Sequence, residues 1–219
     1  MGAFALADNL DLTIKFDLIA DALVDSGYCL IDDFFPPELI SQLAIQVRQL
    51  PADYFKRAAI GRATDQQINQ FVRTDEIHWL NGQNGFEQQY LKIMSELRTE
   101  LNRRLFMGLF DYECHFAHYS QGAYYKRHLD AFKGNTNRVL STVLYLNPDW
   151  DPADGGELLM YRKKVKIPFV TVTPKLGSFI LFLSERFPHE VLAARKDRYS
   201  LTGWFRVNNS LGDSIDPSR

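Results

Sequence analysis

Cysteine is scarce, with Cys29 and Cys114 the only two among 219 residues. Two thiols are too few for a disulfide framework or a thiolate metal site, which points to a reducing, cytoplasmic setting. A surplus of positive charge is also missing, since 25 Lys and Arg stand against 27 Asp and Glu for a net charge of -2. Proteins that grip nucleic acid through its phosphates carry a basic excess, so no nucleic-acid partner is expected. Long apolar runs are missing too. The longest, around Phe179 to Leu183, falls far short of a membrane span, and no membrane partner is expected. The opening stretch MGAFALADNLDL has Asp8 and Asp11 where a signal peptide would be apolar, and Leu6 where myristoylation would want Ser or Thr. What the chain does have is 46% hydrophobic and 13% aromatic residues, enough to bury a substantial core within one domain.

Apolar residues at Ile14, Phe16, Ile19 and Leu23 recur at helical spacing and stop at Ser26-Gly27. The run YCLIDDFF follows as a short strand, and Pro36-Pro37-Glu38 opens a second helix running to about Leu50. FKRAAIG and RTDEIHWL read as two strands of a hairpin with a long polar tip. Gly85 to Phe106 has apolar positions at Phe86, Leu91, Met94, Leu97, Leu101 and Leu105, the pattern of a long amphipathic helix. After Met107 come eight short strand-like runs near 112–119, 123–128, 138–146, 157–161, 168–173, 178–183, 188–193 and 198–206, separated by turn residues. The expected fold is therefore α+β dominated by β, a double-stranded β-helix or jelly roll of the cupin kind with N-terminal helices packed on one sheet. As a single domain over 1–219 it divides into helices and hairpin at 14–108, a catalytic core at 109–206 and a polar tail at 207–219.

Chemistry concentrates in two places. Tyr125-Lys126-Arg127-His128-Leu129-Asp130 puts a His-x-Asp at a strand end, where alternate residues share a face and present an imidazole and a carboxylate together. Alone it reads as a surface ion pair. Phe187-Pro188-His189-Glu190-Val191 places a second histidine among apolar residues, alone a core group. Conjunction changes both readings, because the first and the penultimate core strands of a jelly roll can bring His128, Asp130 and His189 together. Two histidines and one carboxylate form the facial triad of non-haem Fe(II) oxygenases, with three coordination positions left open. Arg198 then opens the last strand, RYSLTGWF, and a buried guanidinium there needs an anion. The dicarboxylate 2-oxoglutarate provides one at its distal end.

With these motifs the sequence resembles the 2-oxoglutarate and Fe(II)-dependent prolyl hydroxylases, and within them the prolyl hydroxylase domain enzymes that sense oxygen in animals, a bacterial member being the expectation. The resemblance runs from about Asp17 to Arg206 and includes GYCLIDDFF, VRTDEIHWLNG, YLNPDWDPADGGEL, PHEV and RYSLTGWF. It implies that His128, Asp130 and His189 hold iron and that Arg198 and Tyr145 receive 2-oxoglutarate. Tyr119 and Thr202 are implied as polar groups nearer the iron, and Val143, Leu158, Phe182, Val191 and Trp204 as apolar walls. Arg138 and Trp204, with Arg73 and Asp75, are implied to meet the substrate. The segment from about Ala58 to Asp75 resembles the family's mobile substrate loop, although ATDQQINQF matches no pattern there. His115 stands where the family has an apolar residue and reads as a hydrogen-bonded packing histidine.

The resemblance further implies Fe(II), 2-oxoglutarate and O2 as cofactors, with ascorbate as reductant, and 4-hydroxyproline in a protein as product beside succinate and CO2. The partner is then a protein carrying the target proline; a translation factor, elongation factor Tu, is the candidate. Three other readings stay open. They are a same-site oxygenase acting on another protein residue or a small molecule such as a free amino acid, a cupin-like sugar isomerase, and a non-enzymatic interaction module.

Overall fold

The computed structural model describes residues 3–57, 72–131 and 137–208, with side chains from residue 12 onward. Its helices are α1 (Ala3–Asp25), α2 (Pro37–Gln49) and α3 (Gly85–Leu105). Its strands are β1 (Tyr28–Ile31), β2 (Lys56–Arg57), β3 (Glu76–Trp79), β4 (Leu109–Tyr119), β5 (Tyr125–His128), β6 (Arg138–Tyr145), β7 (Leu158–Met160), β8 (Val170–Val172), β9 (Phe179–Leu183), β10 (His189–Val191) and β11 (Arg198–Val207). Seven strands form one antiparallel sheet in the order β1-β9-β6-β11-β4-β3-β2, and four form another in the order β5-β10-β7-β8. This is a jelly roll, and all eight expected core runs are strands in it.

Local sequence accounts for the helices. Pro37, with its fixed φ, starts α2, whose buried residues Leu39, Ile40, Leu43, Ala44 and Val47 make one apolar stripe. Asn84 caps α3 by accepting the Glu87 backbone N–H at 2.9 Å, while the Glu87 carboxylate reaches back to the Gly82 N–H at 3.0 Å. Phe106, at a left-handed φ of 53°, ends it.

Helix α1 starts at Ala3, well before the expected Ile14. AFALADNLDL holds good helix formers and no Gly or Pro, so the helix continues beyond the stretch that spacing alone marks. Ile14 and Phe86, expected on buried stripes, are exposed. The expected hairpin exists as β2 against β3, but it extends the seven-stranded sheet through β3 and β4. Its tip, residues 58–71, lies outside the described residues, as does most of the polar tail.

Period-two alternation in the central strands separates two buried layers. Phe116, Leu140, Leu144, Phe179, Leu181, Leu201 and Phe205 pack against the helices with Ile19, Leu43 and Leu97. Their neighbours Ala117, Tyr119, Val143, Tyr145, Ile180 and Phe182 face the four-stranded sheet and meet Leu158, Met160 and Val191. The first layer anchors the sheet. The second lines the interior where the chemistry-bearing residues converge.

Candidate active site

β5 and β10 are adjacent antiparallel strands with His128 directly opposite His189. His128 thus sits on the second of the eight core strands, not the first. Strand β5 ends at His128, so Asp130 lies in the bend beyond it and strand alternation does not aim its side chain. Ser141 on β6 does, donating to Asp130 Oδ2 at 2.6 Å while its hydroxyl also meets Ser184 Oγ at 2.8 Å. Asp130 Oδ1 is 3.6 Å from His128 Nε2, and Oδ2 is 3.7 Å from His189 Nε2. One ligand atom from each of the three residues lies within 4.8 Å of the other two.

The tautomers follow from the main chain. His128 Nδ1 faces the Lys126 carbonyl at 2.7 Å, and His189 Nδ1 faces the Phe187 carbonyl at 3.1 Å. A ring nitrogen against a carbonyl carries the proton, so each Nε2 keeps its lone pair toward Asp130. Burial, with His128 beside it, lowers His189 to about 4, which leaves its imidazole neutral near pH 7. Burial opposes ionisation of Asp130, but His189, His128 and the Ser141 hydroxyl outweigh it and hold the carboxyl well below its usual range. Two imidazoles whose Nδ1 atoms are engaged by the main chain and one carboxylate suit Fe(II) with open positions.

Arg198 is only 2% exposed. Its Nε donates to the Gly156 carbonyl at 2.9 Å, and its guanidinium carbon lies 4.9 Å from the Tyr119 ring centre and 5.1 Å from that of Tyr145. Among the described residues no carboxylate comes within ion-pair distance of it. Burial lifts the Tyr145 phenol to about 12 against the pull of the Arg198 charge, and the hydroxyl is buried without a well-formed hydrogen bond. A buried cation and an orphaned hydroxyl side by side are costly unless they share an acceptor. A carboxylate fits both. Gly156 permits the approach: at its φ of 74°, a Cβ would lie 2.9 Å from Ala194 Cβ and 3.2 Å from Arg198 Cδ.

The family model for the 2OG-Fe(II) oxygenase superfamily matches residues 114–206. Egl nine homolog 1 of Mus musculus is 28% identical over 209 residues, covering 89% of this chain and 50% of its own length. The chain therefore spans about half the length of that curated relative. A prolyl hydroxylase from Trichoplax adhaerens, solved with a hypoxia inducible factor peptide, superposes with a TM-score of 0.77 at 27% identity, covering 94% of each chain. A prolyl-4-hydroxylase from Pseudomonas putida superposes with a TM-score of 0.78 at 40% identity, covering 88% of this chain and 98% of its own. The chain belongs to the 2-oxoglutarate and Fe(II)-dependent prolyl hydroxylase family.

Around the triad this family member arranges its other candidate residues in pairs. Tyr125 stacks on His128 with ring centres 3.5 Å apart, and Arg73 lies over the other end of the stack, 4.3 Å from the Tyr125 ring. Arg73 and the buried Asp75 are locked in a two-bond ion pair of 2.7 and 2.5 Å. Arg138 lies 3.6 Å from the Trp204 ring and donates to Glu113 at 2.9 Å, while Trp204 Nε1 is buried without a hydrogen bond. Half-buried Thr202 lies on the interior face of β11 with Oγ1 3.5 Å from Ser200 Oγ. Val143, Leu158, Phe182 and Val191 share one buried cluster with Tyr119 and Tyr145, and Phe182 meets His189 edge-on at 4.9 Å.

His115 packs between Trp79 and Trp204, with ring centres 5.1 and 5.5 Å away, and its Nδ1 meets the Phe116 carbonyl at 3.2 Å. That is the geometry of a hydrogen-bonded packing histidine. Burial, then the Arg73 charge, lowers it to about 3. Sequence reasoning assigned no role to Ser141, Glu113, Tyr125 or Gly156. Ser141 was accessible in principle, because it shares the interior face of β6 with Val143 and Tyr145.

Proposed function

We propose that the protein hydroxylates a prolyl residue in a protein substrate, giving 4-hydroxyproline. The observation that carries this is the triad with both Nε2 atoms free, placed in the same interior as a buried arginine that has no carboxylate partner among the described residues. His128 and His189 hold iron through Nε2 and Asp130 through a carboxylate oxygen. Arg198 and Tyr145 receive the distal carboxylate of 2-oxoglutarate, and Tyr119 and Thr202 offer polar contacts nearer the metal. When bound, Fe(II), 2-oxoglutarate and O2 supply the oxidant, with succinate and CO2 as co-products and ascorbate keeping the metal reduced.

The chain supplies everything else. Val143, Leu158, Phe182 and Val191 keep water from the reacting C–H bond. Glu113 holds Arg138 flat on Trp204, and Asp75 holds Arg73, so both arginines present fixed donors to a peptide backbone. The Trichoplax relative, solved with a peptide of hypoxia inducible factor, supports a protein substrate, and a translation factor such as elongation factor Tu is the first to assay. The test incubates host extract with enzyme, Fe(II), ascorbate and 2-oxoglutarate, reading succinate by NMR and new oxygen on proline by mass spectrometry. Succinate release that depends on extract, with one added oxygen on a proline, supports the reading. Oxygen on another residue, or on a small molecule only, overturns it.

A further inference from the structure

The turn between β7 and β8 reads Arg162-Lys163-Lys164-Val165-Lys166-Ile167, and every one of these residues is exposed. Four cations in six positions stand out in a chain whose net charge is -2. Lys126 and Arg127 of β5, also exposed, add two more beside them. Among the described residues none of these six cations lies within ion-pair distance of a carboxylate. Ordinary surface neutralisation has not been applied here.

The placement is as specific as the charge. In the four-stranded sheet, Met160 at the end of β7 pairs with His189, His189 pairs with His128, and Val170 at the start of β8 pairs with Met160. The hairpin therefore projects from the end of the sheet that carries the metal triad. It is also fastened to both histidine strands. Arg127, next to His128, donates to the Arg162 and Val165 carbonyls at 3.4 and 2.7 Å and stacks on Tyr161 at 3.8 Å. The Tyr161 hydroxyl bonds Glu190, next to His189. A tip anchored at its root holds its charges at the triad end of the sheet without involving them in the chemistry.

We propose that this hairpin is a docking surface for an acidic segment of the protein substrate flanking the target proline, an inference that rests on the prolyl hydroxylation proposed above. Val165 and Ile167, 43% and 76% exposed, alternate with the lysines and suit a peptide that mixes carboxylates with apolar side chains. Nucleic acid fits less well, because the rest of the chain adds no basic field. An anionic membrane lying on this end would cover the end of the sheet that carries the triad. Complementary charge at such a rim raises the encounter rate and fixes register, so its contribution falls with salt.

The test uses the full chain and a labelled peptide of Asp, Glu and Leu flanking one proline, followed by fluorescence anisotropy. Reversing the tip with Lys163→Glu, Lys164→Glu and Lys166→Glu should weaken binding about tenfold at low salt, with little difference left near about 1 M. The milder Lys→Gln set should fall between, which guards against misfolding of the reversed variant. Slow 2-oxoglutarate consumption without peptide should be unaltered. Failure of the acidic peptide to bind, equal binding by all variants, or tighter retention on an RNA oligonucleotide or on phosphatidylserine vesicles overturns the proposal. Anisotropy reads docking and mass spectrometry reads hydroxylation, so loss of one is distinct from loss of the other.

Discussion

Arg198 carries a charge at 2% exposure with one main-chain carbonyl as its hydrogen-bonded partner, an arrangement stable only if something anionic completes it. Arg198→Lys keeps the charge and loses the planar fork. A charge-assisted hydrogen bond contributes about 1.5–3 kcal/mol, so the apparent KM for 2-oxoglutarate should rise about ten- to a hundredfold while iron content stays near wild type. Titrating the cosubstrate checks this, and an unmoved KM removes Arg198 as its anchor. Ala substitutions at His128, Asp130 or His189 should have the converse pattern. Each deletes a ligand from a preformed cluster, so iron retention and turnover should vanish together with the fold intact by circular dichroism.

At the scale of elements, the site depends on how strands carry side chains past one another. Strand β6 offers Ser141, Val143 and Tyr145 on one face, touching Asp130, the apolar interior and the Arg198 pocket in turn. Ser141→Ala should therefore weaken iron about ten- to a hundredfold, as loss of outer-shell support does, and leave the KM for 2-oxoglutarate little changed. Metal titration against cosubstrate titration separates the two. The same strand shows what could be read in advance. Eight β runs and the candidate status of His128, Asp130 and His189, which the fold brings together, were legible because period-two patterning and residue chemistry are local properties. The aim of Asp130 was not, since it depends on a hydroxyl eleven residues downstream across a strand boundary. Nor were the pairings of Arg73 with Asp75 and Arg138 with Glu113, where the sequence shows charges but not whether they meet each other or a ligand. Helix α1 extended beyond its legible part because propensity, unlike a buried stripe, leaves no periodic mark.

Across the whole molecule, two buried histidines tie stability to pH. His115 is lowered to about 3 and His189 to about 4, both first by burial, while an unfolded histidine titrates near 6.5. Below 6.5 the unfolded chain therefore takes up protons that the folded chain refuses, and stability falls as the pH falls toward 4. Each group contributes a slope of up to about 1.4 kcal/mol per pH unit, so the metal-free protein should lose about 2–3 kcal/mol per unit across that window. Asp130 adds to the loss progressively from about pH 5 downward, where unfolded carboxylates begin to protonate and its own still does not. Urea unfolding of metal-free protein at a series of pH values between 7 and 4 measures the slope. His115→Leu fills a site already lined by Trp79 and Trp204 and should remove about half of it, leaving the portion that belongs to His189. A slope that His115→Leu leaves untouched would mean that His115 is not held neutral between the two indoles. Iron should change the profile differently, because protons compete with the metal for Nε2 of His189 and not for His115. Wild type with iron should then be more stable at pH 7 and decline more steeply in acid, with the His115 contribution unchanged beneath it.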